Sequence, residues 1–354
     1  MAGSDPLTPL PPEAERSPIE MAETEGRTED AGTTAKATAQ ASYLGLMWWR
    51  FKRNRLGVLG SLALLVIYAV VLPAEFVAPY ALNQRHEAYL GVPPQPPRFI
   101  TPDGRFTLRP IMLGLKPERD PVTLRRRFIP DPEQRYPIRL LVRGAPWTLL
   151  GIESDIHLFG VEGQGRMLLL GTDLQGRDML SQILYGGRIS LTVGMVGVAI
   201  SMLLGTLIGL ASGYIGGRFD DFVQRTVEVL VSFPSIPLWI ALSAAIPPEW
   251  SSIRVFFAIT VILSLIGWGS LARVVRGMTL SLKNEDFVQA SRMNGGTTWW
   301  IITRHMFPGM LSYIIVRVTL AIPGMILGET ALSFLGLGIQ PPMVSWGVLL
   351  QQVQ

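Results

Sequence analysis

The chain has 354 residues, 48% hydrophobic and 16% charged, with a formal net charge of +4. Charge this far below the ~25% of soluble domains, with a mean hydropathy of +0.33, places it among membrane proteins. There is no Cys, hence neither a disulfide framework nor a Cys metal site, and His86, His157 and His305 lack metal-ligand spacing. The small net charge says little about nucleic acid, and none is expected as a partner.

Residues 1–41 are rich in Pro, Glu, Ala and Thr and have no hydrophobic period. They read as a disordered cytoplasmic tail, and no cleavable signal peptide is expected because no apolar run follows Met1. Residues 42–55 carry Trp48, Trp49, Arg50, Lys52, Arg53 and Arg55, an interfacial basic-aromatic segment that marks the cytoplasmic side. Leu56–Ala74 has 19 residues without a charge, so residues 56–79 are assigned the first transmembrane segment.

Residues 80–188 leave the membrane as an extracytoplasmic insertion, irregular and partly β. Prolines crowd its first half, and Tyr136–Val142 and Trp147–Ile152 are strand-like. Its arginines, including Arg125, Arg126 and Arg127, read as a solvated face. In Leu170–Leu191, Gly171 and Gly176 stand at P-loop spacing. Arg177 and Asp178 occupy the places of the Lys and Ser/Thr that reach phosphate and magnesium, so a nucleotide site is rejected.

Residues 189–354 form the helical core. Ile189–Gly217 is the second span, with Gly205, Gly209 and Gly213 on one face, a spacing that lets another helix pack closely. Arg225 and Glu228 are placed to pair. Val229–Pro248 is the third span, with Pro234 and Pro237 as kinks. Val255–Ala272 is the fourth, and Arg273 and Arg276 put its end in the cytoplasm.

A polar helix over 285–294 follows at the membrane face. Asn284 is its expected N-cap, Glu285 and Asp286 suit the dipole, and Gly295 is a left-handed C-terminal cap. Gln289, Ala290 and Ser291 form a small centre open to another protein surface. Thr298 is expected to cap a second short helix carrying Trp299 and Trp300, ended or kinked by Pro308. Gly309–Leu337 is the fifth span. It holds Arg317 and Glu329, which either pair structurally or line a pathway. Twelve residues apart, they stand about 18 Å from each other on a straight helix.

Three motifs carry a resemblance. Gln289, Ala290, Ser291, Gly295 and Pro308 fall at the spacing of the coupling-helix motif of ABC importer permeases, with Gln289 in place of its Glu, Ser291 of an Ala, His305 of an Ile and Phe307 of a Leu. Gly171, Thr172, Asp173, Gly176, Arg177, Asp178, Ser181, Gly187 and Arg188 resemble the GTD-x-x-GRD-x-x-S segment of the dipeptide, oligopeptide and nickel branch. Glu329 lies in GETALSFLGLG, similar to a third family segment.

The resemblance implies an all-α polytopic membrane protein with five visible transmembrane helices and a coupling helix. A sixth span, present in the family, is absent here, so a truncation is expected. It also implies a permease subunit with no chemistry, catalytic site, metal or cofactor of its own. ATP would be used by two ABC ATPase subunits; a homologous permease and an extracytoplasmic solute-binding protein complete the assembly. Peptides are the expected cargo, though oligosaccharide and nickel importers share these motifs. Glu329 alone favours an ion-driven secondary transporter, and a membrane enzyme would need convergent catalytic residues that the spans lack.

Overall fold

The computed structural model describes residues 43–101, 103–119, 121 and 126–353; the tail 1–41 and Arg125 lie outside them. The chain divides after Tyr68 into two units. The first holds α1 (Tyr43–Arg53) and most of α2 (Arg55–Val71). On α1, Lys52 lies over the Trp48 ring at 5.2 Å and Arg53 over Trp49 at 4.6 Å, cation–π pairs suited to a membrane surface. Asn54 separates the helices, and its Oδ1 accepts from the Gly57 amide at 3.1 Å, satisfying a free donor of the first turn of α2. At 17 residues, α2 is shorter than the ~20 of a full span.

The second unit opens with α3 (Ala74–Val77) and then a sheet of β1 (Arg98–Ile100), β2 (Phe106–Arg119), β3 (Arg126–Leu149) and β4 (Ile152–Val161). The expected irregular, partly β insertion is an antiparallel meander in the order β1-β2-β3-β4 whose three ladders each carry a register shift, and the chain is mostly helical rather than all-α. Of the two expected strands, Tyr136–Val142 lies inside β3, while Trp147–Ile152 runs from the end of β3 through the turn at Leu150 and Gly151 to the start of β4; β3 pairs with β2 through Arg126–Pro137 and with β4 through Ile138–Leu149. Each half of β3 thus bonds on one side only, so Pro130, Pro132 and Pro137 in its first half need not break a ladder by lacking an N–H.

The helices are α4 (Met179–Ile215), α5 (Gly217–Ser232), α6 (Ser235–Ala244), α7 (Ser252–Leu282), α8 (Asp286–Met293), α9 (Thr298–Ile301), α10 (Phe307–Phe334) and α11 (Trp346–Gln351). Among the described residues three stretches are long and apolar enough to cross a membrane: α4, α7 and the continuous Thr298–Phe334; α5 and α6, bent by 90°, make a fourth if they are one span. Beside these stands the shorter apolar helix α2. The third expected span is broken because Phe233 takes the extended backbone (φ −87°, ψ 138°) that a following proline favours, and Pro234 supplies no N–H. Pro237, in the first turn of α6, disturbs nothing. Inside the bounds expected for the insertion, α4 already starts at Met179, capped by Asp178.

Within the bundle, α4 and α7 run parallel. Gly205 meets Trp268, Gly209 meets Ala272 and Gly213 meets Arg276, a constant offset along both helices. The chain between them must therefore return across the bundle through α5 and α6. In contrast α10 runs antiparallel to α4, with Ser190 beside Glu329 and Gly197 against Met325. Two apolar cores sit at opposite ends of α4. One gathers Val193, Ile259 and Leu332 near the sheet; the other gathers Leu210, Val275, Met306 and Val288 near α8.

The expectation that Pro308 ends or kinks the second short helix is answered by a widened turn. Ile302–Met306 is π-helical, the Phe307 amide bonds to the Ile302 carbonyl, and α10 follows without a break. A proline ring collides with the carbonyl four residues back, and an inserted π turn relieves that collision while the helix continues.

Candidate functional site

At the sheet end, Gly171–Arg188 forms a collar around the start of α4. Asp173 Oδ1 accepts from the amides of Gln175 and Arg177, both at 2.8 Å, and Oδ2 from Arg177 Nε at 2.7 Å and Gln182 Nε2 at 2.9 Å. The anion in this glycine loop is the chain's own carboxylate, which explains why P-loop spacing carries no nucleotide site. Gly171 has φ +76°, and a Cβ there would lie 2.1 Å from the Val92 carbonyl. Asp178 Oδ2 caps α4, accepting from the Ser181 amide at 2.8 Å and its hydroxyl at 2.7 Å. Burial pushes this carboxyl up to about 6, against the Ser181 bonds. Burial acts the same way on Asp173, but its bonds to Arg177 and Gln182 outweigh it and hold the group below the ordinary carboxylate range. Arg188 Nη1 binds both oxygens of Glu75, at 2.6 and 2.7 Å, tying α3 to α4.

Along the last third of α4 the glycine stripe is a helix–helix contact inside this chain. Added Cβ atoms would lie 2.8 Å from the Trp268 carbonyl at Gly205, 2.6 Å from that of Ala272 at Gly209, and 2.8 Å from that of Arg276 at Gly213.

Glu329 is fully buried. Its oxygens accept from Ser190 Oγ at 3.0 Å and Ser333 Oγ at 2.7 Å. Those hydroxyls accept in turn from the Trp346 amide at 3.1 Å and the Ile339 amide at 3.0 Å. The carboxyl thus joins α4, α10 and the segment leading into α11, and among the described residues no cation pairs with it. Arg317 is exposed on α10 with no ion-pair partner among the described residues. The structure does not bring the two together.

At the far end lies α8. Glu285, not Asn284, is its N-cap, with extended backbone and no side-chain cap bond, so the helix has eight residues rather than ten. The Asn284 amide bonds to Ser281 and that of Glu285 to Leu282; Asn284 is still inside the turn that closes α7 and cannot cap. The C-terminus agrees with the sequence. Gly295 has φ +79°, its amide bonds to Arg292 at 3.0 Å, and the Gly296 amide bonds to Ser291 at 2.9 Å, the Schellman pattern. Thr297, one residue before the expected Thr298, caps α9 by accepting from the Trp300 amide; it is Thr297 that has extended backbone.

Val288 (0% exposed) and Ser291 (9%) face the bundle, while Glu285, Asp286, Gln289 and Ala290 face out and Met293 is 89% exposed. Ser291 is therefore not on the approachable surface: with Val288 inward, the residue three positions on shares its face. Gln289 Nε2 donates to the Lys283 carbonyl at 3.0 Å, a bond no Glu could make.

Sequence reasoning missed two partners of this end. The first is Tyr214, at the end of α4. Its carbonyl accepts from Lys283 Nζ at 2.7 Å, and its ring lies under Lys283 at 5.5 Å and Arg292 at 5.1 Å. The second is Asp220, held by Arg276 through Nε and Nη2, each at 2.5 Å, and by the Ser212 hydroxyl. A tyrosine closing an apolar helix, followed by basic residues around a short polar helix, was the available signal.

Residues 205–354 match the family of binding-protein-dependent transport system inner membrane components, and residues 42–97 match the N-terminal TM domain of oligopeptide transport permease C. The chain is 46% identical over 180 residues to the oligopeptide transport system permease protein OppC of Haemophilus influenzae, covering 51% of this chain and 56% of that one. It is 42% identical over 179 residues to the dipeptide transport system permease protein DppC of Bacillus subtilis, covering 51% and 54%. A putative peptide transport system permease protein of Brucella suis is 39% identical over 209 residues, covering 59% of this chain and 68% of the relative. The chain spans little more than half the length of the first two. On this similarity, and on a helical bundle with apolar crossings, the chain belongs to the family of binding-protein-dependent transport system inner membrane components.

Proposed function

We propose that this chain is the permease subunit of an ATP-driven, binding-protein-dependent importer of peptides. The observation that carries the reading is α8: a short helix capped by a Schellman turn, presenting Gln289 and Ala290 outward and tied through Lys283 and Arg292 to the last turn of α4. Its placement suits a coupling helix, which must move as a unit with the spans. In this reading two ABC ATPases bind at the α8 end and hydrolyse ATP. A homologous permease completes the pathway, and an extracytoplasmic solute-binding protein delivers cargo to the sheet end. The N-terminus and α8 are cytoplasmic. Arg218 and Arg225 on α5, Arg273 and Arg276 near the end of α7, Lys283 just after it and Arg292 on α8 fit the positive-inside rule in this orientation. The names of the relatives, which are peptide permeases, support peptide as cargo.

The test uses the complete complex. Met293→Cys should cross-link to an ATPase subunit; Ala290→Glu should abolish labelled-peptide uptake and ATPase recruitment while leaving membrane insertion intact. A complex that transports while position 293 reaches only lipid or the second permease overturns the reading.

A further inference from the structure

The continuous stretch Thr298–Phe334 runs 37 residues, and Arg317 stands one residue past its middle. It lies nineteen residues from Thr298 and seventeen from Phe334, about 28 and 25 Å along the axis. The packing on α4 agrees on the depth. Met325 meets Gly197, the middle residue of α4, and Phe307 shares a cleft with Met202 and Leu203; Arg317 lies between these two levels. It is exposed and has no ion-pair partner among the described residues. Two other charged groups of the bundle are answered inside the chain, Glu329 by Ser190 and Ser333, Asp220 by Arg276 and Ser212.

A guanidinium at this depth is costly unless an anion or water meets it. A lipid phosphate is too far away: snorkelling serves cations near helix ends, and the hydrocarbon layer extends ~15 Å on either side of its middle. A carboxylate fixed on a neighbouring helix would need that helix seated on this face of α10. The face carries Arg317, Ala321 and Gly324, at positions i, i+4 and i+7. All three are exposed, and a Cβ added at Gly324 would meet nothing within 4 Å. Small residues let helices close on each other, as Gly205, Gly209 and Gly213 do. A long arginine at the head of the row holds a neighbour off and leaves a gap, and the anion that fits a gap is a mobile one. A free peptide carries a carboxylate at its C-terminus whatever its sequence, and a guanidinium takes a carboxylate through two parallel bonds. We propose that Arg317 lines the route of the cargo and receives the peptide's C-terminal carboxylate at the middle of the membrane. Exposure keeps the pair weak, as passage requires. The proposal rests on the reading of the chain as a peptide permease and adds which end of the cargo the route recognises.

The test uses the complete complex in proteoliposomes, with Arg317→Cys in a chain that has no Cys of its own. Uptake of labelled trialanine should fall roughly tenfold, the value of one charge-assisted contact. A water-soluble cationic methanethiosulfonate should restore most of it, and the anionic sulfonate form of the reagent should not. The native complex, treated alike, controls for thiols on the other subunits. Arg317→Lys, which keeps the charge, should retain most of the uptake. Trialanine amide, supplied at concentrations that saturate the binding protein, should pass the native and the unmodified Arg317→Cys complexes at rates that agree within roughly twofold, since no charge pair is lost. A thiol at 317 that neither reagent reaches, reagents of both charges acting alike, or amide uptake that falls with that of the acid overturns the proposal. Loss of the second permease from the Arg317→Cys complex marks a fixed partner carboxylate and overturns it as well. In each of those cases native uptake of trialanine leaves the peptide reading standing. A native complex that assembles with its partners yet imports no peptide overturns both.

Discussion

Arg276 on α7 grips Asp220 on α5 with two parallel bonds of 2.5 Å, and the Ser212 hydroxyl at the end of α4 donates to the same carboxylate. Three helices are fastened at one carboxyl group. Asp220 is 11% and Arg276 29% exposed. Removing one partner of a fully buried pair costs about 3–5 kcal/mol, and partial exposure lowers that to roughly 2 kcal/mol here. Asp220→Ala should show that loss in thermal unfolding in detergent micelles, and the double variant Asp220→Ala/Arg276→Met should recover much of it, because no charge is left unpaired.

Gly209→Leu should separate α4 from α7 within a single chain. An added Cβ already lies 2.6 Å from the Ala272 carbonyl and 2.9 Å from Val275 Cβ, and both helices would have to move apart. The expected destabilisation is at least ~3 kcal/mol, read as accelerated trypsin cleavage of the chain expressed without its partners. Unchanged resistance would place the stripe elsewhere.

Glu329 separates a structural role from a pathway role. Glu329→Gln keeps an acceptor for Ser190 or Ser333, whose hydroxyls can turn, and should leave both stability and uptake near normal. Glu329→Leu leaves both hydroxyls without their acceptor and should cost about 2–4 kcal/mol. Lost uptake in a stable Glu329→Gln protein would instead mark a carboxylate that works on the transported species.

The collar carries opposed pH dependences. Asp178, raised from 3.8 to about 6, contributes stability that is complete below pH 3.8 and lost as pH rises through 6, on the order of 3 kcal/mol. Asp173, held low, contributes stability present above its unfolded pKa and lost as pH falls below it. Asp178→Asn keeps a good N-cap and should flatten the stability profile between pH 4 and 6. Hydrogen exchange of the first turn of α4 across that window reads the change; an unaltered slope assigns it to another group.

Sidedness is tested with cysteines, since the chain has none of its own. Gln134→Cys, exposed on β3, should react with an impermeant maleimide in intact cells, and Thr297→Cys, exposed before α9, only after lysis. Gln95 is a poorer probe: its amide bonds to Leu169 at 3.1 Å and its side chain is half-buried. The reverse labelling pattern inverts the topology.

What could be read in advance follows from where side-chain identity decides geometry. Gly295 announces a left-handed turn, and glycines four apart announce close approach. The partner of that stripe stayed hidden because α7 meets it with backbone carbonyls of Trp268, Ala272 and Arg276, and a carbonyl leaves no mark in a sequence. Asn284 and Glu285 are both polar, so composition cannot say which lies outside the α7 turn. The length of β3 was obscured by its prolines, which argue against a strand until one sees that each half of β3 pairs on one side alone. Ser291 was misplaced because the inward phase of α8 is set by Val288, buried by tertiary contact.

The length of α4 has a mechanical side. It runs 37 residues without proline, from the Asp178 cap to the turn after Tyr214, about 55 Å, while the hydrocarbon layer is only ~30 Å thick. Such a rod overhangs the layer and behaves as a lever. Tilting it by about 5° around its middle would carry each end roughly 2 Å in opposite directions. A push at α8, felt through Lys283 and Tyr214, would therefore reach the collar as a shift of Asp178 and Arg188 against the neck of the sheet, with no intermediate element having to change its own shape.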